Sequence, residues 1–190
     1  MYVSRTLGAL GTFAILGTAA ALVLVAAGAS PAGPDDRSPH ATAFAQLSSA
    51  VDQVQDGTVK TVRFELDDGH SGIGVGKDSV TVQHDGTYLV VIAPQVTTDQ
   101  GGVQQGKDPT EGCVDTWSAV NGKAVADSSV RLCQAATHST HVVVSQFAAR
   151  FKKGDVLQAK TKGEAVRLDA TRPADGPLIP SVILTVMEVA

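Results

Sequence analysis

Pro180-Ser181-Val182-Ile183-Leu184-Thr185-Val186-Met187-Glu188-Val189 decides the fold. Its β-branched and apolar residues occupy both alternating faces, too apolar for an edge strand in water, so the stretch predicts a strand in the middle of a sheet. Working back, Val142-Val143-Val144-Ser145-Gln146-Phe147 predicts a half-buried strand, and Lys152-Lys153-Gly154-Asp155 a turn with a positive-φ glycine. Val156 to Lys160 then predicts the return strand of a hairpin. A C-terminal strand placed between strands formed earlier in the chain implies a Greek-key sandwich and not a meander.

Upstream, Thr58 to Leu66 alternates, with Val62, Phe64 and Leu66 on one face and Thr61, Arg63 and Glu65 on the other. A glycine-rich stretch, Gly69 to Gly76, leads to Ser79-Val80-Thr81-Val82-Gln83. Asp85-Gly86 then predicts a hairpin returning through Tyr88 to Ala93. Thr97 to Gly112 is a long polar loop, and Val114 to Val120 meets Asn121-Gly122, the strongest turn signal in the chain. Lys123 to Val125 returns, and Ser129 to Leu132 adds a further strand. No helical spacing persists after Gly57, so the expected fold is all-β: a two-sheet antiparallel jelly-roll sandwich of roughly eight strands.

Two segments precede it. Arg5 is the only charged residue before Asp35, and Leu7 to Ala29 is apolar or small throughout, the layout of an export signal. Ala27-Gly28-Ala29 has the form a signal peptidase accepts, yet the run is also long enough to span a bilayer of ~30 Å, so residues 1–29 read as a signal peptide or a signal-anchor helix. Residues 30–57 form a linker and neck. There Phe44, Leu47, Val51 and Val54 recur at helical steps and Gly57 suits a helix stop, which predicts a short amphipathic helix, lying on its own domain or bundling chains. The jelly roll is expected over 58–190.

At 190 residues and 43% hydrophobic content the chain holds one core of ordinary size. A net charge of −4 with scattered Lys and Arg offers no footprint for a phosphate backbone, which argues against a nucleic-acid partner. Aromatics at 4% leave little material for a base-stacking or carbohydrate platform.

Four motifs, Asp85-Gly86-Thr87-Tyr88-Leu89-Val90, Trp117-Ser118-Ala119-Val120-Asn121-Gly122-Lys123, Phe151-Lys152-Lys153-Gly154-Asp155-Val156-Leu157 and Pro180-Ser181-Val182-Ile183-Leu184-Thr185, follow in one order and spacing. That order resembles the C1q-like globular head of the C1q and tumour necrosis factor jelly-roll superfamily, in a bacterial-type form without a collagen stalk. The resemblance covers Thr58 to Ala190. It implies a jelly roll that forms compact homotrimers, binds other molecules through outer faces and loops, and has no catalytic centre. The aromatics that crowd the core and trimer axis of such heads are replaced here by valine and alanine.

Cys113 and Cys133 bracket the Asn121-Gly122 hairpin, and in an exported chain they are expected to form a structural disulfide, the alternatives being free thiols or bonds between subunits. No residue stands out as catalytic, cofactor-binding or metal-binding. Gly69-His70-Ser71-Gly72-Ile73 lacks the last glycine of a nucleophile elbow. Gly72-Ile73-Gly74-Val75-Gly76 lacks the spacing of a dinucleotide fingerprint. His138 and His141 point to opposite faces of an extended chain, and Asp67-Asp68 supplies two of the six to eight oxygens a calcium ion needs. Trp117 reads as a core or subunit-contact residue.

The sequence therefore favours an exported, non-enzymatic, trimeric binding or structural head, secreted or held at the cell surface. Its partners would be itself and an extracellular protein or surface ligand met by the loops Thr97 to Gly112 and Gly163 to Pro177. Membrane contact would be confined to residues 7–29, if uncleaved. A membrane-anchored structural assembly protein is the first alternative and a hydrolase on a β-sandwich scaffold the second.

Overall fold

The computed structural model describes residues 42–98, 112–133 and 140–189. These fold into strands without a helix: β1 (Phe44–Ser49), β2 (Gln53–Asp56), β3 (Lys60–Thr61), β4 (Leu66–Ser71), β5 (Ile73–Val75), β6 (Val80–Val82) and β7 (Gly86–Thr98). They continue with β8 (Cys113–Val120), β9 (Lys123–Ala124), β10 (Val130–Cys133), β11 (Thr140–Val142), β12 (Ser145–Phe151), β13 (Val156–Leu168) and β14 (Val182–Glu188).

The first sheet runs β4-β1-β14-β7-β12, every pair antiparallel. The C-terminal strand thus sits in the interior of the sheet, as its composition predicts. The second sheet is centred on β13, with β8 and then β10 on one side and β3 and β6 on the other. β7 and β13 are long enough to run past their own sheets and pair with each other, Val166 opposite Thr98 and Leu168 opposite Val96. β2 flanks β13 and β11 flanks β7 there, joining the two sheets at one end.

The core follows from period-two alternation. Tyr88, Val90 and Ile92 of β7 and Val182, Leu184 and Val186 of β14 point inward, fully buried, toward Val80, Val82, Val114, Leu157 and Ala159 of the second sheet. Each fully buried Val, Leu or Ile contributes roughly 1.5–3 kcal/mol of transfer free energy, so a valine-rich core can replace an aromatic one only by number. The aromatic pair in it, Tyr88 and Phe151, stacks at 5.8 Å between ring centroids, and the Tyr88 hydroxyl donates to the His84 carbonyl at 3.0 Å.

Several local expectations are corrected. The neck helix does not form: Phe44 to Ser49 is β1, hydrogen-bonded between β14 and β4, and Gln53 to Asp56 is β2. Ala43, Ala45 and Leu47 supply a competing period-two pattern, all buried, while Phe44, Val51 and Val54 are exposed. A short helix is marginal in water, whereas β14 offers a whole strand edge to pair with. The sandwich accordingly begins at Phe44 and not at Thr58. Within 58–65 only Lys60–Thr61 is strand; Val62 and Phe64 are buried as expected, but Leu66 opens β4 on the other sheet, opposite Ser48, and is exposed.

The two hairpins expected at Asp85-Gly86 and Lys152 to Asp155 are crossings between sheets. β6 pairs with β5 and β13, not β7, and β12 pairs with β7, not β13. Gly154 does have positive φ, +90°, and the Asp155 carboxylate accepts from the Lys152 N–H at 2.8 Å, which tightens the turn without deciding which strand follows. Asn121-Gly122 behaves as expected, with φ of 51° and 78° and Val120 opposite Lys123, the geometry of a two-residue hairpin. The loop expected from Gly163 is strand as far as Leu168.

Candidate functional site

The outward face of the first sheet is assembled from the residues that alternate with the core. Register places Phe44, Met187, Leu89 and Ala148 in one row across β1, β14, β7 and β12. The next row is Gln46, Thr185, Val91 and Gln146, and the one after it Ser48, Ile183 and Ala93, continued by Val144 just before β12. None of these side chains is charged. Phe44, Met187 and Val144 are 42%, 39% and 52% exposed, a broad apolar surface with polar carboxamides set into it. Phe44 lies beside Gly69, where an added Cβ would stand 3.8 Å from Phe44 Cε2. Charge returns only at the margins, with Arg150 opposite Thr87 and Asp67 opposite Leu47.

The outward face of the second sheet is built on the opposite principle. Arg131, Asp115 and Lys162 align across β10, β8 and β13. The Arg131 guanidinium grips the Asp115 carboxylate with two bonds, 2.6 and 2.7 Å. Those bonds hold the Asp115 carboxyl below its ordinary range and raise Arg131, with Lys162 adding to the effect on Asp115. Trp117, half-buried, stands opposite Lys160, whose ammonium donates to Thr61 Oγ1 at 2.6 Å. Cys113 and Cys133 face each other at the end of β8 and β10, Cα–Cα 4.0 Å, and are joined by a disulfide. Beside them a cleft of about 250 Å³ is lined by Gly57, Asp115, Arg131, Lys162 and Glu164. Gly163 allows the close approach there, since a Cβ would meet Val166 Cγ2 at 2.6 Å and the Cys113 carbonyl at 3.0 Å.

A wider cleft, about 590 Å³, opens at one end of the first sheet between Asp85, Gly86, Arg150, Phe151 and Lys152. Asp85 is engaged in fold geometry, accepting from the Lys153 N–H at 2.7 Å.

The residues weighed for chemistry are dispersed. His70 Nδ1 lies 2.8 Å from Asp67 on exposed β4, where Ser71 is an ordinary strand residue and no helix follows. His141 is exposed on β11 opposite Val96, while His138 lies outside the described residues. Among the described residues no three His, Cys, Asp or Glu side chains converge on one point. Of the two loops expected to recognise partners, residues 99–111 and the whole apolar N-terminal run lie outside the described residues, and Gly163 to Leu168 belongs to β13. The uncharged outward face escaped the sequence analysis, although its signal lay in stretches such as Leu89-Val90-Val91-Ile92-Ala93, apolar at both parities.

No protein-family model and no curated protein matches this chain. Among solved structures it is similar to murine APRIL, a tumour necrosis factor-family jelly roll: the crystal structure at pH 8.5 superposes with a TM-score of 0.51 at 14% identity, over 78% of this chain and 100% of that one. A second crystal structure of murine APRIL, at pH 8.0, gives a TM-score of 0.50 at the same identity and coverage. The fold is an all-β jelly roll like that of murine APRIL. In this jelly roll β1, β14, β7 and β12 present the uncharged face, and β10, β8 and β13 the charged one.

Proposed function

We propose that this chain is an exported, non-enzymatic binding or structural module that assembles as a homotrimer through the outward face of its first sheet and meets other partners through its remaining surface. The observation that carries the reading is the contrast between the two outward faces. A sheet face in contact with water normally alternates apolar-in with polar-out, and the charged row Arg131-Asp115-Lys162 does so. In its three central rows across β1, β14, β7 and β12 the first sheet keeps uncharged residues outward as well as inward, which is the composition of a surface covered by protein. Copies of this chain are the occupant the reading commits to, because a face that packs near a rotation axis meets its own side chains, and any charge there would meet its like.

Export is supported by the apolar run from Leu7 to Ala29 and by the disulfide, which persists in oxidising compartments. On this reading residues 1–29 are a signal peptide or anchor and the following stretch to residue 41 a linker. The test is the molar mass of the purified full chain by sedimentation, in density-matched detergent if the N-terminal run is retained. Three chains per particle, reduced to one by Met187→Asp, is the expected result; a wild-type monomer across the accessible concentrations would overturn the assembly reading. Carbonate washing of an envelope fraction separates a released head from the alternative, an anchored structural protein.

A further inference from the structure

We infer that Gln46, Thr185 and Gln146, the polar members of a row completed by Val91, form a self-complementary polar layer that fixes which copies meet and in what register; the inference rests on the homotrimer reading above. The row lies between the apolar row Phe44-Met187-Leu89-Ala148 below and, above, a row whose open part is the apolar Ile183-Ala93-Val144, Ser48 at its end being buried in the protomer. Apolar rows associate without regard to register, since burial is non-directional and one alignment of such surfaces is nearly as good as another. An isolated polar position in an apolar seam is what selects an alignment, because every misaligned copy leaves a buried group without a partner.

The chemistry of the row suits symmetry. A carboxamide carries both donor and acceptor, and a hydroxyl does too, so copies of the same group can satisfy one another as a carboxylate or ammonium cannot. Within the protomer the two carboxamides are uncommitted: beyond their strand pairing, no side-chain hydrogen bond joins Gln46 or Gln146 to another described residue. Gln53 and Gln95 differ, for Gln53 bonds to the Arg63 backbone and Gln95 to the Asp169 carbonyl, and both serve the fold. Gln146 sits on β12 at one edge of the sheet and Gln46 on β1, one strand in from the β4 edge, where Gly69 opposite it carries no side chain to cover it; β14 and β7 lie between them. Three strand spacings put them roughly 14 Å apart. A closed ring is a heterologous contact in which one flank of a protomer meets the opposite flank of the next. Gln146 of one copy is thereby brought to Gln46 of its neighbour.

The pairing is tested on the full chain by native mass spectrometry and sedimentation at matched protomer concentrations. Gln146→Lys alone should weaken association at least tenfold, since a lysine would then be buried against a carboxamide and the neighbouring apolar rows. Adding Gln46→Glu to it should restore three chains per particle. Both positions are exposed in the protomer, so neither change threatens the fold. A second variant, Gln46→Leu with Gln146→Leu, should retain association but spread the single wild-type mass over several stoichiometries. A wild-type trimer indifferent to Gln146→Lys, a double charge variant no better than the single one, or a dileucine variant still of one mass would each overturn the layer while leaving the trimer reading intact. A monomeric wild type would overturn both.

Discussion

Removing the disulfide tests how the second sheet is held. Cys113 and Cys133 are separated by 20 residues and stand opposite each other at the last position of the β8 and β10 pairing. In the chain-entropy picture, cross-linking a loop of that size removes unfolded-state entropy equivalent to about 3 kcal/mol at room temperature. The native strands have other attachments. Four register positions, the two bonds from Arg131 to Asp115, and the Ser128 hydroxyl accepting from the Ser118 N–H at 3.0 Å all remain when the sulfurs go. The loss should therefore fall on the unfolded side: Cys113→Ala with Cys133→Ala costs about 3 kcal/mol, or about 6–12 °C in Tm for a domain of this size, with β10 still docked. Urea unfolding at a fixed protomer concentration measures the first quantity, and hydrogen exchange at Val130, Arg131 and Leu132 the second. A loss below ~1 kcal/mol, or a larger loss with those amides unprotected in the native state, would refute the reasoning.

Three further outcomes are expected. The carboxyls of Asp115 and Asp155 lie below their ordinary value, Asp115 through Arg131 and Asp155 through the Lys152 N–H and the Asn121 amide; their stabilising effect is complete above the unfolded value of 3.8 and disappears as pH falls through the folded values. Asp115→Asn with Asp155→Asn should thus flatten the acid limb of a stability–pH profile below about pH 4, and an unchanged limb would assign it to other groups. Thr116 Oγ1 is buried with no hydrogen-bond partner among the described residues, so Thr116→Val should raise stability by about 1 kcal/mol in thermal unfolding, whereas a fall would reveal a bonded water. Gly163→Ala forces a Cβ to 2.6 Å from Val166 Cγ2 and 3.0 Å from the Cys113 carbonyl, and the overpacking should cost about 1–3 kcal/mol; a neutral result would mean that β8 and β13 can part at that point.

Where local chemistry decides the structure, it can be read from the sequence. Asn121-Gly122 dictates its own turn because both central residues need positive φ, and Val182 to Glu188 dictates an interior position because both of its faces are apolar. Where the outcome depends on which strand offers an edge, the sequence is silent. Asp85-Gly86 and Lys152 to Asp155 make tight turns in either case, but a turn is equally compatible with a chain that returns beside itself and one that crosses to the facing sheet. Phe44 to Val54 fits a helical stripe and, through Ala43, Ala45 and Leu47, a strand; the unpaired edge of β14 settles it. Gly163 to Leu168 loses its strand signature because pairing with β2 shifts between Glu164 and Arg167, and Ala165 there takes positive φ, 55°. The uncharged face is a property of four strands distant in sequence, visible only once register aligns them.

β14 belongs to two interfaces at once. Its inward residues Val182, Leu184 and Val186 are fully buried in the core, and its outward residues Ile183, Thr185 and Met187 form the middle of the uncharged face. β1 and β7 hold their places by pairing with it, and β12 holds its place on β7. Each of the other three strands that carry the face thus depends on β14 directly or at one remove, and the register that aligns Gln46 with Thr185 is the same register that buries Leu47 against Leu184. A one-residue slip would turn the core residues outward and the uncharged row inward together. The surface proposed for assembly therefore needs no specification of its own: the alternation that packs the core also sets the order of its rows, and what remains for the outward side chains to decide is only which copy of the chain they accept.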